Sequence, residues 1–547
     1  MKEAIVIGGG ISGICCAVKL AEAGVMVKII APYPSERSQS VMAAGGINGV
    51  LLRHDQGDSV DCHIEDTLKG GSYLAGKEAV TGLCSHAEEI IQYLEKIGTV
   101  FSVDNEGALV KRAFGGQSFK RTCFCGASTG KQIVSALVME ARRFEVLGLI
   151  ERQFFTFFHS ALIRDGKCYG ALVYDEKLEK IKAMYADALV MATGGQNSLF
   201  GKTTGSTQCD GYAAGQLFLQ GVQLKNLEFI QYHPTTLETC QKKMLISEAV
   251  RGEGGRLFYI ENGKRIYFME EKYGPKGNLM TRDVVSREID EIDKAGKEVF
   301  LDISFIGEKE IRRRIPEVSD LCLKYRGIDI SRVPIPVAPS VHFFMGGLAV
   351  HLNHETNIRN LFAVGECASI YHGANRLGGN SLLAAMHSGM VAAKEIADRD
   401  FDQENIDFSA EEAKENIRLQ KMKDTKSQFP VMYIRDMLAD TMRQDLGIVR
   451  NEQAMKKGLS DLDYYLSICD RLSFDSSVSM YTNYSLKSIL TLAKATLLCA
   501  LHRNESRGAH FRSDYPDSDE AFSFATIISN DGGQVNIRMD KEHIYEI

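Results

Sequence analysis

The sequence predicts an α/β fold: a Rossmann-like nucleotide-binding unit, interrupted by an inserted α+β segment and followed by a helical region and a C-terminal tail. Three observations carry this. The apolar strand Ala4-Ile5-Val6-Ile7 runs into the turn Gly8-Gly9-Gly10-Ile11-Ser12-Gly13, helical periodicity over 14–23 and a second strand at 25–30, which together make a βαβ unit. The glycine-rich style stops near residue 227, gives way to a charged, irregular stretch to 343, and resumes at Gly346-Gly347 and Gly365-Glu366-Cys367, as it does around an insertion. From 410 to about 503 the residues follow a helical period and predict a bundle.

Taken in order, Gly24 stops the first helix and a second glycine cluster, Ala43-Ala44-Gly45-Gly46-Ile47-Asn48-Gly49, follows a polar loop. Residues 63–98 read as helical. Residues 145–195 alternate like strands, with turns at Arg164-Asp165-Gly166 and Asp175-Glu176. Helices are predicted at 410–423, 431–438, 451–466 and 485–502, and a charged, turn-rich tail from 504 to 547. The expected division is 1–226 with 344–405 for the nucleotide-binding domain, 227–343 for a capping domain, 406–503 for the helical domain and 504–547 for the tail.

Composition narrows the function classes. The 547 residues suit three to four domains. Hydrophobic residues at 44% and charged residues at 25% have the balance of a soluble globular chain. A net charge of −7 argues against a general nucleic-acid binder. Thirteen cysteines, an odd number, rule out a complete disulfide framework and favour reduced thiols and a cytosolic setting. The most apolar helical stretch, 489–501, contains Lys494 and reads as too short to span a bilayer. The N-terminus runs straight into a strand, leaving no room for a signal peptide, so membrane association is expected only through a partner chain.

Gly8, Gly10 and Gly13 match G-x-G-x-x-G between a strand and a helix, the arrangement that brings a pyrophosphate to a helix N-terminus. The second strand ends Ile29-Ile30-Ala31-Pro32, without the acidic residue that holds an adenosine ribose in many such sites. Neither Cys15-Cys16 nor Cys123-Phe124-Cys125 has the companions an iron–sulfur cluster requires, and His351 with His354 lacks a carboxylate set, so no metal site is expected.

Longer motifs make the reading specific. Arg37-Ser38-Gln39-Ser40-Val41-Met42-Ala43-Ala44-Gly45-Gly46, His63-Ile64-Glu65-Asp66-Thr67, Ala192-Thr193-Gly194-Gly195, Glu228-Phe229-Ile230-Gln231-Tyr232-His233-Pro234-Thr235, Arg251-Gly252-Glu253-Gly254-Gly255 and His372-Gly373-Ala374-Asn375-Arg376-Leu377-Gly378-Gly379-Asn380-Ser381-Leu382 stand in one order. With Glu505-Ser506-Arg507-Gly508-Ala509-His510 they resemble the succinate dehydrogenase/fumarate reductase flavoprotein family from residue 4 to about 515. That family also lacks the acidic residue after the second strand.

The resemblance implies an FAD cofactor. Gly8, Gly10 and Gly13 would cradle the pyrophosphate, Gly45 and Gly46 would face the isoalloxazine, and Glu366 would bind the ribityl chain. Ser38, Gln39, Ser40 and Asp210 would add contacts, and Ser381 and Leu382 would lie at a helix N-terminus, which favours negative charge on the reduced ring. His233, Ser247, His342 and Arg376, with Phe114, would hold a dicarboxylate, succinate or fumarate; an arginine fork suits a carboxylate. Arg282 matches the proton donor, and Glu248 and Arg251 the relay behind it. Arginine is a poor acid in isolation, so two accounts stay open: Arg282 gives the proton, or it supplies charge while water does.

Three functions compete. The first is a catalytic flavoprotein subunit interconverting succinate and fumarate, peripheral on the cytoplasmic face of a membrane. An iron–sulfur subunit and a quinone-binding membrane anchor would be its partners, with the helical region and the tail through His510 as candidate docking surfaces. The second is an L-aspartate oxidase, whose family has a glutamate where this chain has Phe114 in Arg112-Ala113-Phe114-Gly115-Gly116. The third is a catalytically silent flavin-binding subunit, for which the retained Arg282, Glu248, Arg251, His233, His342 and Arg376 have no use. Complex-forming members carry a flavin-linked histidine six residues before Gly45; here that residue is Gln39, and the nearest histidine, His54, lies beyond the glycines. FAD is therefore expected to bind noncovalently, which lowers its potential and favours fumarate reduction.

Overall fold

The computed structural model describes residues 1–547 except 52–56, 127, 241, 403, 405, 425–429, 470–474 and 541–547, so His54 lies outside the described residues. At its centre is a five-stranded parallel sheet in the order Leu361–Ala363, Ala188–Met191, Glu3–Ile7, Met26–Ala31, Ile150–Phe154. Successive residues of a strand face opposite sides, and here each side has its own core. Ala4, Val6, Val27, Ile29, Ala188 and Val190 pack against helices Ile11–Glu22, Thr129–Val146 and Asn380–Asp398. Ile5, Ile7, Ile30, Leu189 and Met191 pack against a three-stranded antiparallel sheet, Thr156–Arg164, Lys167–Asp175 and Lys180–Tyr185.

The chain leaves this unit along strand Ile230–Glu238 and returns along Ile335–Phe344, which pair antiparallel in a six-stranded sheet. A separate core, from Leu237 and Ile246 through Val285 and Leu301 to Val337, sits beneath it. The two strands thus carry residues from the inserted segment to the rim of the parallel sheet.

The four predicted helices are present as Ser409–Asp424, Val431–Asp445, Glu452–Cys469 and Met480–His502. The last three pack on one another. The first lies instead along the Lys180–Tyr185 strand, where the Asn416 amide accepts from Ile181 N at 3.0 Å and donates to Ile181 O at 2.9 Å. The stretch at 489–501 belongs to a longer helix, Met480–His502, which by length and composition is long and apolar enough to cross a membrane. This corrects the expectation that it is too short: the polar-looking segment 480–488 continues the helix and is itself largely buried. The helix is mostly enclosed by protein.

The tail also departs from expectation. Instead of turns alone, 525–540 forms a hairpin, Ala525–Asp531 and Gln534–Asp540, whose first strand joins Leu224–Lys225. Gly532 and Gly533, at φ +62° and +103°, make the turn that other residues adopt only with strain. The β-branched run and the Asp531-Gly532-Gly533 turn were the available signal. His510 is buried and bonded to Arg450 and to the Arg503 carbonyl, which removes it from any docking surface.

Candidate active site

One long cleft runs from the end of the parallel sheet to the rim of the inserted segment. Gly8, Gly10, Ser38, Gln39, Ser40, Gly45, Gly46, Asp210, Glu366, Ser381 and Leu382 all line it. Gly13 stands behind the wall: a Cβ there would lie 2.1 Å from Gly8 O, so its hydrogen is what lets helix Ile11–Glu22 meet the strand. At Gly8, φ is +117° and a Cβ would reach 2.2 Å from Ala192 O. The Ser40 hydroxyl accepts from Ile11 N at 3.2 Å, tying the loop to the helix start.

The residues fit a polar, elongated cofactor. Ser38 Oγ and Gln39 Oε1 are buried with no protein partner, and an unpaired buried polar atom is costly unless a ligand or water satisfies it. The Glu366 carboxylate accepts from Phe344 N at 3.1 Å, and burial pushes its carboxyl up to about 7. Ser381 and Leu382 sit in the first turn of helix Asn380–Asp398.

The far end was not legible beforehand. Pro32, Tyr33, Pro34, Phe157, Phe158 and Tyr481 wall it. Tyr481, from the helical region, stacks on Phe157 with centroids 4.7 Å apart and donates to Asp210 Oδ1 at 3.0 Å. Asp210 also accepts from Tyr212 N at 3.0 Å, with Arg435 at 3.8 Å, and burial raises its pKa.

At the other end, Arg282, His342, Arg376 and Phe114 line the cleft, with His233, Glu248 and Arg251 behind them. His233 and His342 come from the paired strands Ile230–Glu238 and Ile335–Phe344, with ring centroids 5.4 Å apart. His342 Nδ1 shares a hydrogen bond with Thr204 Oγ1 at 2.9 Å, and His233 Nδ1 one with Thr235 O at 3.0 Å. Burial, and then the nearby guanidiniums, hold both imidazoles far below their ordinary pKa, in the neutral form. Ser247 lies outside the wall; its hydroxyl accepts from Ala249 N at 3.3 Å. Phe114 is packed against the backbones of Gly45 and Gly378.

Two guanidiniums hold one carboxylate, and a third, that of Arg376, is linked to them through Gln231. Arg282 donates from Nε and Nη2 to Glu248 Oε2 at 3.1 and 2.9 Å, and Arg251 Nη2 donates to Glu248 Oε1 at 3.1 Å. A continuous hydrogen-bonded chain, Arg251–Glu248–Arg282, therefore ends at the cleft. Burial raises the Glu248 carboxyl, but Arg282 and Arg251 outweigh it and hold it below the usual carboxylate range. Arg376 is buried over the Phe343 ring at 4.3 Å and donates to Gln231 Oε1 at 2.9 Å. The positive charge left over attracts an anionic ligand. Thr204 and Gln231 were not singled out from the sequence, although Gln231 stands inside the motif Glu228–Thr235.

Cys15, Cys16, Cys84, Cys125, Cys168, Cys209, Cys322, Cys367 and Cys499 are buried and outside any disulfide. Among the described residues no three His, Cys, Asp or Glu side chains group as metal ligands.

Residues 3–382 match the family model described as an FAD binding domain, and residues 435–547 the one described as the fumarate reductase flavoprotein C-terminal region. The chain is 36% identical over 537 residues to the succinate dehydrogenase flavoprotein subunit of Bacillus subtilis, covering 94% of this chain and 92% of that one. It is 35% identical over 523 residues to the L-aspartate oxidase of Pyrococcus furiosus, covering 95% and 97%. Among solved structures, FrdA of E. coli quinol fumarate reductase superimposes with a TM-score of 0.91 at 29% identity, covering 100% of this chain and 98% of that chain.

Proposed function

Because the chain belongs to the succinate dehydrogenase/fumarate reductase flavoprotein family and carries its FAD-binding domain, we propose that it is a catalytic subunit interconverting succinate and fumarate, with fumarate reduction as its working direction. The observation that carries this reading is the chain Arg251–Glu248–Arg282, two guanidiniums on a single carboxylate, with the Arg376 guanidinium joined to Arg282 through Gln231 at the same end of the cleft. A dianionic substrate supplies the counter-charge that this set lacks.

FAD, when bound, supplies the hydride exchanged with the substrate carbon. Gly8, Gly10, Ser38, Gln39, Ser40, Gly45, Gly46, Asp210, Glu366, Ser381 and Leu382 hold it, with Gly13 setting the helix behind. Arg376 and His342 clamp carboxylates with His233 behind them, Phe114 packs on the carbon chain, and Ser247, which lies outside the cleft wall, is left out of the clamp. Fixing both carboxylates orients the reacting carbon and is worth most when the clamps fit the transition state better than the substrate. Arg282 delivers the proton, and Glu248 with Arg251 restores it. The inserted segment, 227–343, acts as the cap that excludes water. Electrons pass to or from a separate iron–sulfur subunit and a quinone at a membrane anchor, with this chain peripheral on the cytoplasmic face.

Purified holoprotein assayed with a reduced viologen-type dye for fumarate, and with an oxidised dye of higher potential for succinate and aspartate, tests the reading. Turnover is expected with fumarate and succinate and not with aspartate. An aspartate rate matching the fumarate rate would replace this reading by L-aspartate oxidase, for which Phe114 offers no charge to an ammonium group. Inertness toward all three would leave the silent flavin-binding subunit.

The flavin linkage has its own test. Gln39 presents a carboxamide, which is not nucleophilic enough to form the flavin bond that a histidine makes. Acid precipitation is expected to leave the yellow flavin in the supernatant; yellow in the washed pellet would overturn noncovalent binding.

A further inference from the structure

Gln231 sits buried in strand Ile230–Glu238 between the two arginines that face the cleft. Its single amide oxygen accepts from Arg282 Nη1 at 3.0 Å and from Arg376 Nη2 at 2.9 Å. Its amide nitrogen donates to Asn375 Oδ1 at 2.7 Å and to the Arg376 carbonyl at 2.8 Å. Asn375 in turn donates to Asp283 Oδ1 at 3.0 Å, beside Arg282. The first turn of helix Arg282–Lys294, in the inserted segment, is thereby tied to the loop that carries Arg376.

We infer that Gln231 is a positioning residue that sets the spacing of Arg282 and Arg376, and so of the proton donor against the carboxylate clamp; this rests on the dicarboxylate reading above. A neutral amide suits the task. Two guanidiniums brought this close repel each other, and a carbonyl dipole offsets part of that without adding a charge. A carboxylate at the same place would hold both arginines as well but would compete with the substrate for them. An apolar side chain of similar size would leave two buried N–H groups unsatisfied and free to turn. Arg282 keeps its two bonds to Glu248 in either case, so what changes is its aim.

The test uses the holoenzyme with Gln231→Leu and Gln231→Glu. With the flavin spectrum unchanged, Gln231→Leu is expected to lower kcat for fumarate about 10- to 100-fold and to shift the pH profile of kcat, because the proton donor no longer meets the substrate. Gln231→Glu is expected to keep kcat within a few fold while raising KM at least about tenfold. A crystal structure of Gln231→Leu should show one of the two guanidiniums displaced. A kcat within twofold of the parent with an unchanged pH profile would overturn the role, as would unmoved arginines in the variant crystal. If Gln231→Leu does not fold, Gln231→Glu decides through its KM. A parent enzyme inert toward fumarate and succinate sinks the dicarboxylate reading alone, and the variant crystal structure still judges Gln231.

Discussion

Replacing Arg282 by alanine should lower fumarate reduction by at least about a thousand-fold while FAD stays bound. Positioned proton transfer contributes on the order of 10²- to 10⁴-fold, and loss of one preorganised charge at the reacting centre about 10²- to 10³-fold. Arg282 stands at the cleft end of the chain through Glu248 to Arg251, so both contributions disappear with it. It belongs to the first turn of a helix in the inserted segment, away from the glycines of the nucleotide turn, so the flavin spectrum should survive. Truncation also leaves Glu248 with Arg251 alone. Steady-state assay with reduced dye measures the loss, and retention of more than about one per cent of turnover would remove Arg282 from the chemistry. A solvent-supplied proton would instead leave partial activity that Arg282→Lys restores, since lysine keeps the charge while changing the acid.

The second large effect is structural. Arg503→Ala should destabilise the chain by roughly 3–5 kcal/mol, the cost of breaking a buried ion pair by removing one partner. Arg503 is completely buried, as are the two carboxylates it meets, Glu228 at 2.6 Å and Glu505 at 2.8 Å. It also donates to the carbonyls of Phe522 and Phe524 at 2.7 Å and to Thr526 Oγ1 at 2.8 Å, holding the approach to the tail hairpin. Removing the guanidinium leaves Glu228 buried without its counter-charge, whereas Glu505 keeps Arg507. Glu228 lies two residues before the strand Ile230–Glu238 that carries Gln231 and His233, so the damage should spread from the tail to the rim of the cleft at the inserted segment. A chain of several cores does not unfold in one step. The temperature of flavin release, followed by fluorescence, is therefore the measure, and a release temperature within about a degree of the parent would contradict the assignment.

How much was legible beforehand follows from the range over which each feature is encoded. The nucleotide turn was legible because Gly8, Gly10 and Gly13 are a local demand of backbone geometry. The helices after 409 were legible because a 3.6-residue period is written within the helix itself, although their ends were not: Met442 continues the buried face of a helix that was expected to stop at 438 and runs to Asp445. The tail hairpin carried a readable turn signal. Its partner did not, because the short strand Leu224–Lys225 lies some 300 residues earlier and only two residues long.

By itself the sequence determined the α/β class, the nucleotide turn, the order of the motifs and the charged residues they contain. Only the tertiary structure decided which of them meet: that Glu248 joins Arg251 to Arg282, that Gln231 bridges Arg282 and Arg376, and that Tyr481 closes the far end of the cleft on Asp210. The reason is physical. Turns and helices are selected by interactions among near neighbours, whereas a site is assembled from side chains hundreds of residues apart, whose meeting depends on how whole elements pack.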